Sequence, residues 1–358
     1  TYMLEDSAPA AFILDDAEPG PLIEAWRGLN RGPVISMMPA AGAELFDSLL
    51  HAPEAPARIA PAPAQLVLYT SGTTGRPKGV ALRPETLAGR KNVMEYRHLI
   101  ASIIPTGAQS RALIVLPFHH SSGPNTALFC LMGGGAAVMV RRFDAESTLA
   151  LIQRHRITHM MAVPTMLHRI RTLAPEVVAK YDVRSLTYLT TGAAAVPHSL
   201  KLWALDFFGP QCQLFEGYGM SETMMISYLM PHEQRAKPGS SGKVLPFVEL
   251  SIRRDGGAQA LPAGEVGEVC VRTPMMIDGY LNRGALTADE LTPDGLFRTG
   301  DVGYLDQDGY LYITDRLKDM IIAGGSNIYP AEIESVLVEH PAIIDAAVIG
   351  VPSDEFGE

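Results

Sequence analysis

Short apolar runs alternate with amphipathic segments between residues 65 and 214, and no other feature of the sequence limits the fold as much. The runs predict buried strands over residues 65–69, 112–116, 136–140, 159–163 and 186–190. The segments between them have helical periodicity over residues 145–155, 164–173 and 197–208. Strands that alternate with helices predict an α/β fold with a mostly parallel sheet covered by helices.

The pattern changes after residue 238, where residues 248–253 and 267–272 alternate with period two. Apolar runs on both sides of Asp308-Gly309 predict a hairpin. The sequence therefore predicts an antiparallel β subdomain over about 238–314. A helix over 331–339 and a strand over 343–351 predict a small α+β domain after it.

These segments predict a large domain over residues 1–314, a short connection over 315–318 and a partial small domain over 319–358. The first residues have the character of the interior of a helix, and the last residues follow an apolar segment directly. We therefore expect a chain that is truncated at both ends, with roughly one subdomain missing from the front of the large domain.

Composition excludes several classes of function. The net charge of -10 argues against nucleic acid as a partner, because nucleic-acid binding needs a basic surface. The cysteines have neither metal-ligand spacing nor a disulfide pattern, which favours a reducing, cytoplasmic location; they are Cys130, Cys212 and Cys270. No apolar stretch is long enough to cross a bilayer, so we expect no membrane span. A homodimer is compatible with this composition.

A loop rich in glycine and hydroxyl side chains follows the first predicted strand. Its candidate phosphate-binding residues are Thr70, Ser71, Gly72, Thr73, Thr74, Gly75 and Lys78. Glycines let the backbone turn its N–H groups toward an anion, hydroxyls add donors, and Lys78 adds a positive charge. The spacing of Lys78 differs from that of a Walker A loop. The alternative is a flexible surface turn, which rarely needs so many hydroxyls and a lysine.

A second motif extends from Glu216 to Thr223. Glu222 is a candidate ligand of Mg²⁺, a cation that prefers hard oxygen ligands, and Ser221 could donate to a phosphate. Tyr218 offers a flat ring to a purine. The alternative interpretation of the segment is a glycine-flanked turn that leads into a capped helix.

Together with further segments in the same order, these motifs resemble the signatures of the adenylate-forming superfamily, which includes acyl-CoA and aryl-CoA ligases, adenylation domains of peptide synthetases and firefly-type luciferases. The resemblance covers nearly the whole chain and implies that Lys78, Ser221 and Glu222 are catalytic. It implies adenine contacts for Gly192, Ala193, Ala194, Glu216, Gly217 and Tyr218.

The same resemblance assigns roles to later residues. Asp301 and Arg316 would bind the ribose, and a carboxylate suits a vicinal diol because it is an acceptor with two oxygens. Lys318 would be the hinge of the small domain, and Gly324 and Gly325 would line a tunnel for coenzyme A. The acyl pocket would include His119, His120 and Gly219. Without the resemblance, Asp301 is a turn residue, residues 315–319 are a solvated charged run, and the histidine pair is structural.

The resemblance implies an ATP-dependent carboxylate–CoA ligase that requires ATP, Mg²⁺ and coenzyme A. A carboxylate would attack the α-phosphate to give an acyl adenylate and pyrophosphate, and the thiol of coenzyme A would then release AMP. The family's C-terminal lysine would lie beyond Glu358, so we expect this chain to adenylate poorly.

The residues around the acyl-site motif favour a fatty or aryl acid as the small-molecule substrate. No acidic residue lies within residues 116–123 to pair with the ammonium group of an amino acid. The rival functions are a ligase that loads a carrier protein, a catalytically silent ATP-binding fragment, a luciferase-like oxidase, and a kinase or ATPase that would release ADP instead of AMP.

Overall fold

The computed structural model describes residues 2–15, 19–29, 32–51, 66–70, 76–81, 87, 89–254, 256–323, 326–338, 340, 343 and 346–353. The chain forms two compact units. The first comprises Thr1–Pro84 with Asp278–Ala285, and the second comprises Glu85–Ile277 with Leu286–Glu358.

The first unit begins with a small parallel sheet and its helices. The elements are α1 (Tyr2–Ser7), β1 (Phe12–Leu14), α2 (Gly20–Gly28), β2 (Val34–Ser36), β3 (Glu44–Leu45) and α3 (Phe46–Leu49). Trp26 of α2 is 1% exposed, packs against Leu14 and Val34 of the sheet, and donates its indole N–H to the carbonyl of Gly32 at 2.8 Å. None of these strands is predicted above, because three residues are too few to reveal a period of two.

A hairpin of β4 (Val67–Thr70) and β5 (Lys78–Ala81) follows in the first unit, with Thr70 opposite Lys78. The predicted strand over residues 65–69 is confirmed at residues 67–69, but its full burial and its place in the parallel sheet are wrong. Residue 66 lies outside the strand, β4 is only partly buried, and β4 pairs with β5 in a two-stranded sheet. Strands β4 and β5 are antiparallel, so the segments on the two sides of the glycine-rich loop pair with each other.

The parallel half of the second unit confirms the predicted α/β class. Its elements are α4 (Val93–Ile103), β6 (Arg111–Ile114), α5 (Ser122–Met132), β7 (Ala136–Met139), α6 (Ala145–His155), β8 (His159–Met161), α7 (Pro164–Arg171), α8 (Pro175–Val178), β9 (Tyr188–Gly192), α9 (His198–Phe208) and β10 (Gln213–Met220). The five strands pair in the order β7-β6-β8-β9-β10. Side chains such as Ile152, Leu167 and Leu189 are buried between helices and sheet, each worth roughly 2 kcal/mol.

The antiparallel strands continue the same sheet. They are β11 (Met224–Leu229), β12 (Gly242–Val244), β13 (Glu249–Arg253), β14 (Gly267–Arg272), β15 (Phe297–Leu305) and β16 (Tyr310–Arg316). Beyond β10 the order is β11-β12-β16-β15-β14-β13, which makes eleven strands in all. The predicted hairpin joins β15 to β16, where the Asp306 carboxylate accepts from the backbone N–H groups of Asp308 and Tyr310 and Gly309 has φ of 80°.

The last described elements are β17 (Ile321–Ala323), β18 (Ser326–Ile328) and α10 (Pro330–Leu337). The helix confirms the prediction over 331–337; residue 338 lies in a turn, and residue 339 lies outside the described residues. The strand predicted over 343–351 is wrong for the described residues 346–351, which are irregular; Ile349 is 77% exposed and Val351 is 63% exposed. A strand requires a neighbour to satisfy its backbone, and β17 and β18 pair only with each other. In the part of the chain that the structure describes, no helix is both long and apolar enough to cross a bilayer.

Candidate active site

Three predicted nucleotide-binding side chains meet at one point of the sheet in the second unit. The Tyr218 hydroxyl on β10 donates to Oδ2 of Asp301 on β15 at 2.6 Å. Nε of Arg316 on β16 lies 3.3 Å from Oδ1 of the same carboxylate. Asp301 and Arg316 are opposite each other in the β15–β16 ladder. A carboxylate between an aromatic hydroxyl and a guanidinium group can accept hydrogen bonds from a vicinal diol beside an aromatic ring.

The environment shifts the pKa of two of these side chains, Asp301 and Tyr218. Burial is the main cause that raises the pKa of Asp301, while the Tyr218 hydrogen bond and Arg316 oppose the shift. Burial, followed by the Asp301 charge, raises the pKa of the Tyr218 hydroxyl well above its usual value. Tyr218 is therefore a hydrogen-bond donor throughout the neutral range.

The pairing of β9 with β10 ends next to this position, where β9 stops at Gly192 and β10 continues to Met220. Gly192 is opposite Gly217, and a Cβ atom on Gly192 would overlap the Gly217 carbonyl oxygen. The next residue, Ala193, is exposed and has φ of 63°, which is unusual for a residue with a side chain; Ala194 is also exposed. These strand ends therefore present bare backbone, and ligands in open α/β sheets bind at the carboxyl ends of the strands.

Glu216 precedes these glycines, and its carboxylate is used inside the protein. Its Oε2 accepts from Nζ of Lys201 on α9 at 2.6 Å, and the two side chains are 6% and 0% exposed. A side chain held in this way is not directed at a ligand. The adenine contact of Glu216 stays a prediction, and only its backbone atoms are available to make it.

Ser221 and Glu222 lie in the turn between β10 and β11. Glu222 is 6% exposed, and its backbone carbonyl accepts from the N–H of Ile277 at 2.9 Å. The alternative of a capped helix is wrong because the chain continues as β11. Within the described residues no three His, Cys, Asp or Glu side chains are grouped to hold a metal. A single carboxylate fits Mg²⁺ that takes its other oxygen ligands from phosphates and water.

The phosphate-loop candidates belong to the first unit. Thr70 and Lys78 are paired at the loop end of the β4–β5 hairpin. The Nζ atom of Lys78 lies 4.5 Å from the ring centroid of Tyr280. The intervening candidates Ser71, Gly72, Thr73, Thr74 and Gly75 lie outside the described residues. Their phosphate contacts, and a cleft shared by Lys78 with Glu222 and Asp301, stay predictions.

Tyr280 is fixed against the hairpin independently of its ring. It forms a bridge with Val80, and the N–H of Leu281 donates to the Gly79 carbonyl at 2.7 Å. The ring face attracts the Lys78 ammonium group and restricts its position. We expect Tyr280→Leu to raise the KM for ATP about fivefold, equivalent to roughly 1 kcal/mol, and Tyr280→Phe to change it less than twofold because the ring remains. Steady-state kinetics would measure both; equal KM values for the Leu and Phe variants would contradict the role of the ring.

The remaining predicted residues lie in exposed turns, at a β-bulge or outside the described residues. The rings of His119 and His120 are 4.5 Å apart in an exposed turn after β6. Gly219 lies at a β-bulge, where a Cβ atom would overlap the Met224 carbonyl oxygen, so local packing alone explains the glycine. Lys318 is exposed in the turn after β16, and Gly324 and Gly325 lie outside the described residues.

A comparison with protein-family models identifies the family. The model of the AMP-binding enzymes matches residues 1–281. The chain belongs to the AMP-binding enzyme family. The order of motifs along the chain, from the phosphate loop to Asp301 and Arg316, resembles that of adenylate-forming acyl-CoA and aryl-CoA ligases, in agreement with this match.

Curated relatives of this AMP-binding chain have diverse acids in their names. It is 37% identical over 294 residues to a long-chain-fatty-acid–CoA ligase of Mycobacterium tuberculosis, and the aligned region covers 82% of this chain and 56% of that protein. It is 39% identical over 300 residues to the 2-succinylbenzoate–CoA ligase of Bacillus licheniformis, covering 82% and 58%. It is 34% identical to a fatty acid–[acyl-carrier-protein] ligase of Streptomyces coeruleorubidus, covering 100% and 68%. The chain spans little more than half the length of the first two relatives.

Solved structures share the fold of this AMP-binding chain. The amide bond synthetase of Marinactinospora thermotolerans has a TM-score of 0.81 at 30% identity, covering 99% of this chain and 69% of that one. The o-succinylbenzoate coenzyme A synthetase of Bacillus subtilis, solved with ATP and magnesium, has a TM-score of 0.77 at 32% identity, covering 99% and 69%. These matches confirm the predicted fold class.

Sequence reasoning missed two residues that contact predicted site residues, Lys201 beside Glu216 and Tyr280 beside Lys78. The signal for Lys201 was present, because this lysine lies on the buried stripe of α9 with Ala204 and Phe208. A charge on such a stripe implies a buried partner. No local signal identifies Tyr280, because its contact with Lys78 joins residues about 200 positions apart.

Proposed function

We propose that the protein activates a carboxylic acid with ATP through an acyl adenylate and transfers the acyl group to the thiol of coenzyme A. The observation that supports this most is the contact of Tyr218, Asp301 and Arg316 beside the bare strand ends at Gly192 and Gly217. This arrangement offers a ring for a purine, an acceptor for a ribose diol and backbone for close approach of a ligand.

In the first half-reaction a carboxylate oxygen attacks the α-phosphorus, and the bond from that phosphorus to the pyrophosphate oxygen breaks. Lys78 would bind the β- and γ-phosphates and stabilise the charge of the departing pyrophosphate. Glu222 would hold Mg²⁺ together with phosphate oxygens, where the ion supplies further charge neutralisation. Ser221 would donate its hydroxyl to a phosphate oxygen. Asp301 and Arg316 hold the adenosine, so the protein acts mainly by positioning and electrostatics.

In the second half-reaction the thiol of coenzyme A attacks the acyl carbon, the bond to the AMP oxygen breaks, and the thiol proton leaves to solvent. We infer that Lys318 is the hinge for this step, since it is exposed in the turn directly after β16. Asp315 at the end of β16 accepts from the N–H of Ala331 in α10 at 3.0 Å and so connects the strand to the C-terminal helix. Gly324 and Gly325 are proposed to line the path of the pantetheine arm.

A fatty or aryl acid is the proposed substrate. The names of the mycobacterial and Bacillus relatives, a long-chain fatty acid and a substituted benzoate, support this range. His119, His120 and Gly219 are proposed to lie near the acyl group. A second candidate acceptor is a carrier protein, because the Streptomyces relative that covers the whole chain is named for one. A cytoplasmic location and a homodimer stay predictions.

Product analysis tests the proposal. The complete gene product is incubated with ATP, Mg²⁺ and a panel of fatty, aryl and amino acids, and nucleotides are separated by chromatography. We expect acid-dependent AMP and pyrophosphate, and a coenzyme A thioester detectable by mass spectrometry. ADP in place of AMP would refute the adenylate mechanism. AMP release with a thioester on an added carrier protein, but none on coenzyme A, would favour the second candidate.

A further inference from the structure

A fully buried ion pair lies beneath the candidate adenine site. Lys201 of α9 is 0% exposed and Glu216 of β10 is 6% exposed, and Nζ and Oε2 are 2.6 Å apart. Burial raises the pKa of Glu216, while the charge and the hydrogen bond of Lys201 lower it. The remaining buried residues of α9 include apolar Leu200, Ala204 and Phe208, so an apolar residue would suit the position of Lys201 equally well.

Stability alone does not account for such a pair. Removing two charges from water costs about as much as their attraction returns, and apolar side chains of similar volume often replace a buried ion pair without loss of stability. Apolar contacts are not directional, whereas a charged hydrogen bond fixes one distance and one orientation. The ion pair therefore fixes the distance and orientation of β10 relative to α9.

The location of the pair connects this position to ligand binding. Glu216 is opposite Thr191 in the β9–β10 ladder, and the next pair in the ladder is Gly192 with Gly217. One residue further along β10, the Tyr218 hydroxyl donates to Asp301. The residues between Gly192 and the start of α9 at His198 form the connection that carries Ala193 and Ala194. A shift of α9 against β10 would therefore move both strand ends.

We propose that Lys201 is a positioning residue of the nucleotide site, which acts through Glu216 to fix Gly192 of β9 and Gly217 of β10 at the spacing that adenosine requires. The inference rests on the proposed function, because it assumes that these strand ends bind adenosine. Lys201 itself does not contact the nucleotide.

A double variant separates positioning from stability. Lys201→Met with Glu216→Met removes both charges together, whereas each single variant would leave a buried charge without its partner and could fail to fold. The matched control is Arg235→Met with Asp206→Asn. It removes an exposed ion pair of 2.6 Å between Arg235 and Asp206, and Asp206 lies on α9 as Lys201 does. Calorimetric titration with ATP and with AMP measures affinity, and differential scanning calorimetry measures the midpoint of unfolding.

We expect the Lys201/Glu216 double variant to unfold within about 3 °C of the wild type and to bind both nucleotides roughly tenfold more weakly, with the control unchanged. A double variant that binds ATP and AMP like the wild type would overturn the inference. So would a midpoint lowered by more than about 8 °C, since the pair would then serve stability. A wild-type chain that binds neither nucleotide would reject the proposed function itself.

Discussion

Replacing Asp301 by asparagine is expected to weaken ATP binding about 30-fold, equivalent to roughly 2 kcal/mol for charged hydrogen bonds. The variant loses the negative charge beside Arg316 and one of the two acceptor oxygens proposed to bind the ribose hydroxyls. The free energy of unfolding should change by less than about 1 kcal/mol. Burial already disfavours the charged form of Asp301, and the amide oxygen of asparagine can still accept from Tyr218.

Titration calorimetry at several pH values would measure this effect. Because burial raises the pKa of Asp301, the native carboxylate takes up a proton before the unfolded one does as the pH falls. The contribution of Asp301 to the free energy of unfolding therefore decreases as the pH rises from its unfolded to its native pKa. ATP affinity should fall on acidification through the native pKa, and Asp301→Asn should lack this dependence.

The matched control for this variant is Asp308→Asn, which removes a carboxylate of the same sheet at the exposed β15–β16 turn. The control should bind ATP like the wild type. Equal affinity of Asp301→Asn and the wild type for ATP, or an equal loss for ATP and for its 2′,3′-dideoxy analogue, would show that Asp301 does not read the ribose hydroxyls.

Replacing Gly192 by alanine is expected to lower the free energy of unfolding by roughly 3 kcal/mol. Two costs add up at this position. Gly192 has φ of 145°, which a residue with a side chain rarely adopts, and its Cβ atom would overlap the Gly217 carbonyl oxygen on the neighbouring strand. Backbone cannot rotate away as a flexible side chain can, so β9 and β10 must separate. ATP binding should weaken as well because both strand ends move.

Chemical denaturation of Gly192→Ala and of Gly239→Ala would separate the two costs. Gly239 has φ of 75° and no atom within 4 Å of its Cβ position, so alanine there meets only the conformational cost of about 1 kcal/mol. The difference between the two variants measures the overlap with Gly217 together with the larger backbone strain at a φ of 145° than at 75°. If Gly192→Ala were no less stable than Gly239→Ala, close approach of the two strands would not be the reason for the glycine.

Prediction from sequence succeeded where the signal is local. The helix over 145–155 agrees with the structure at both ends, since Asp144 caps it by accepting from the Ser147 N–H at 2.8 Å. The Asp308-Gly309 hairpin was predictable because the residues that form its turn, from Asp306 to Tyr310, are within five positions of one another. The strand predicted over 343–351 was wrong for the described residues 346–351, since apolar residues at 349 and 351 do not by themselves provide a neighbouring strand to pair with.

For the candidate site, the sequence predicted which residues bind the nucleotide but not which residues their side chains contact. Tyr218, Asp301 and Arg316 were each assigned to the nucleotide, and the structure brings them together. Glu216 was assigned to adenine, but its carboxylate pairs with Lys201. Glu216 and Tyr218 are two residues apart on β10, so the alternation of the strand places both on the same face. The difference is the partner that the tertiary structure brings to each side chain, Lys201 of α9 to Glu216 and Asp301 of β15 to Tyr218.

The sequence by itself determined the class of the fold, the family and the order of the nucleotide-binding segments. Each of these depends on periodicity, turn residues or motifs, and each such signal lies within a short stretch of the chain. Only the tertiary structure decided that β4 pairs with β5, that Tyr218 donates to a carboxylate 83 residues away, and that Lys201 neutralises Glu216. Those contacts depend on strand order and register, which packing of the whole sheet selects and which no local segment encodes.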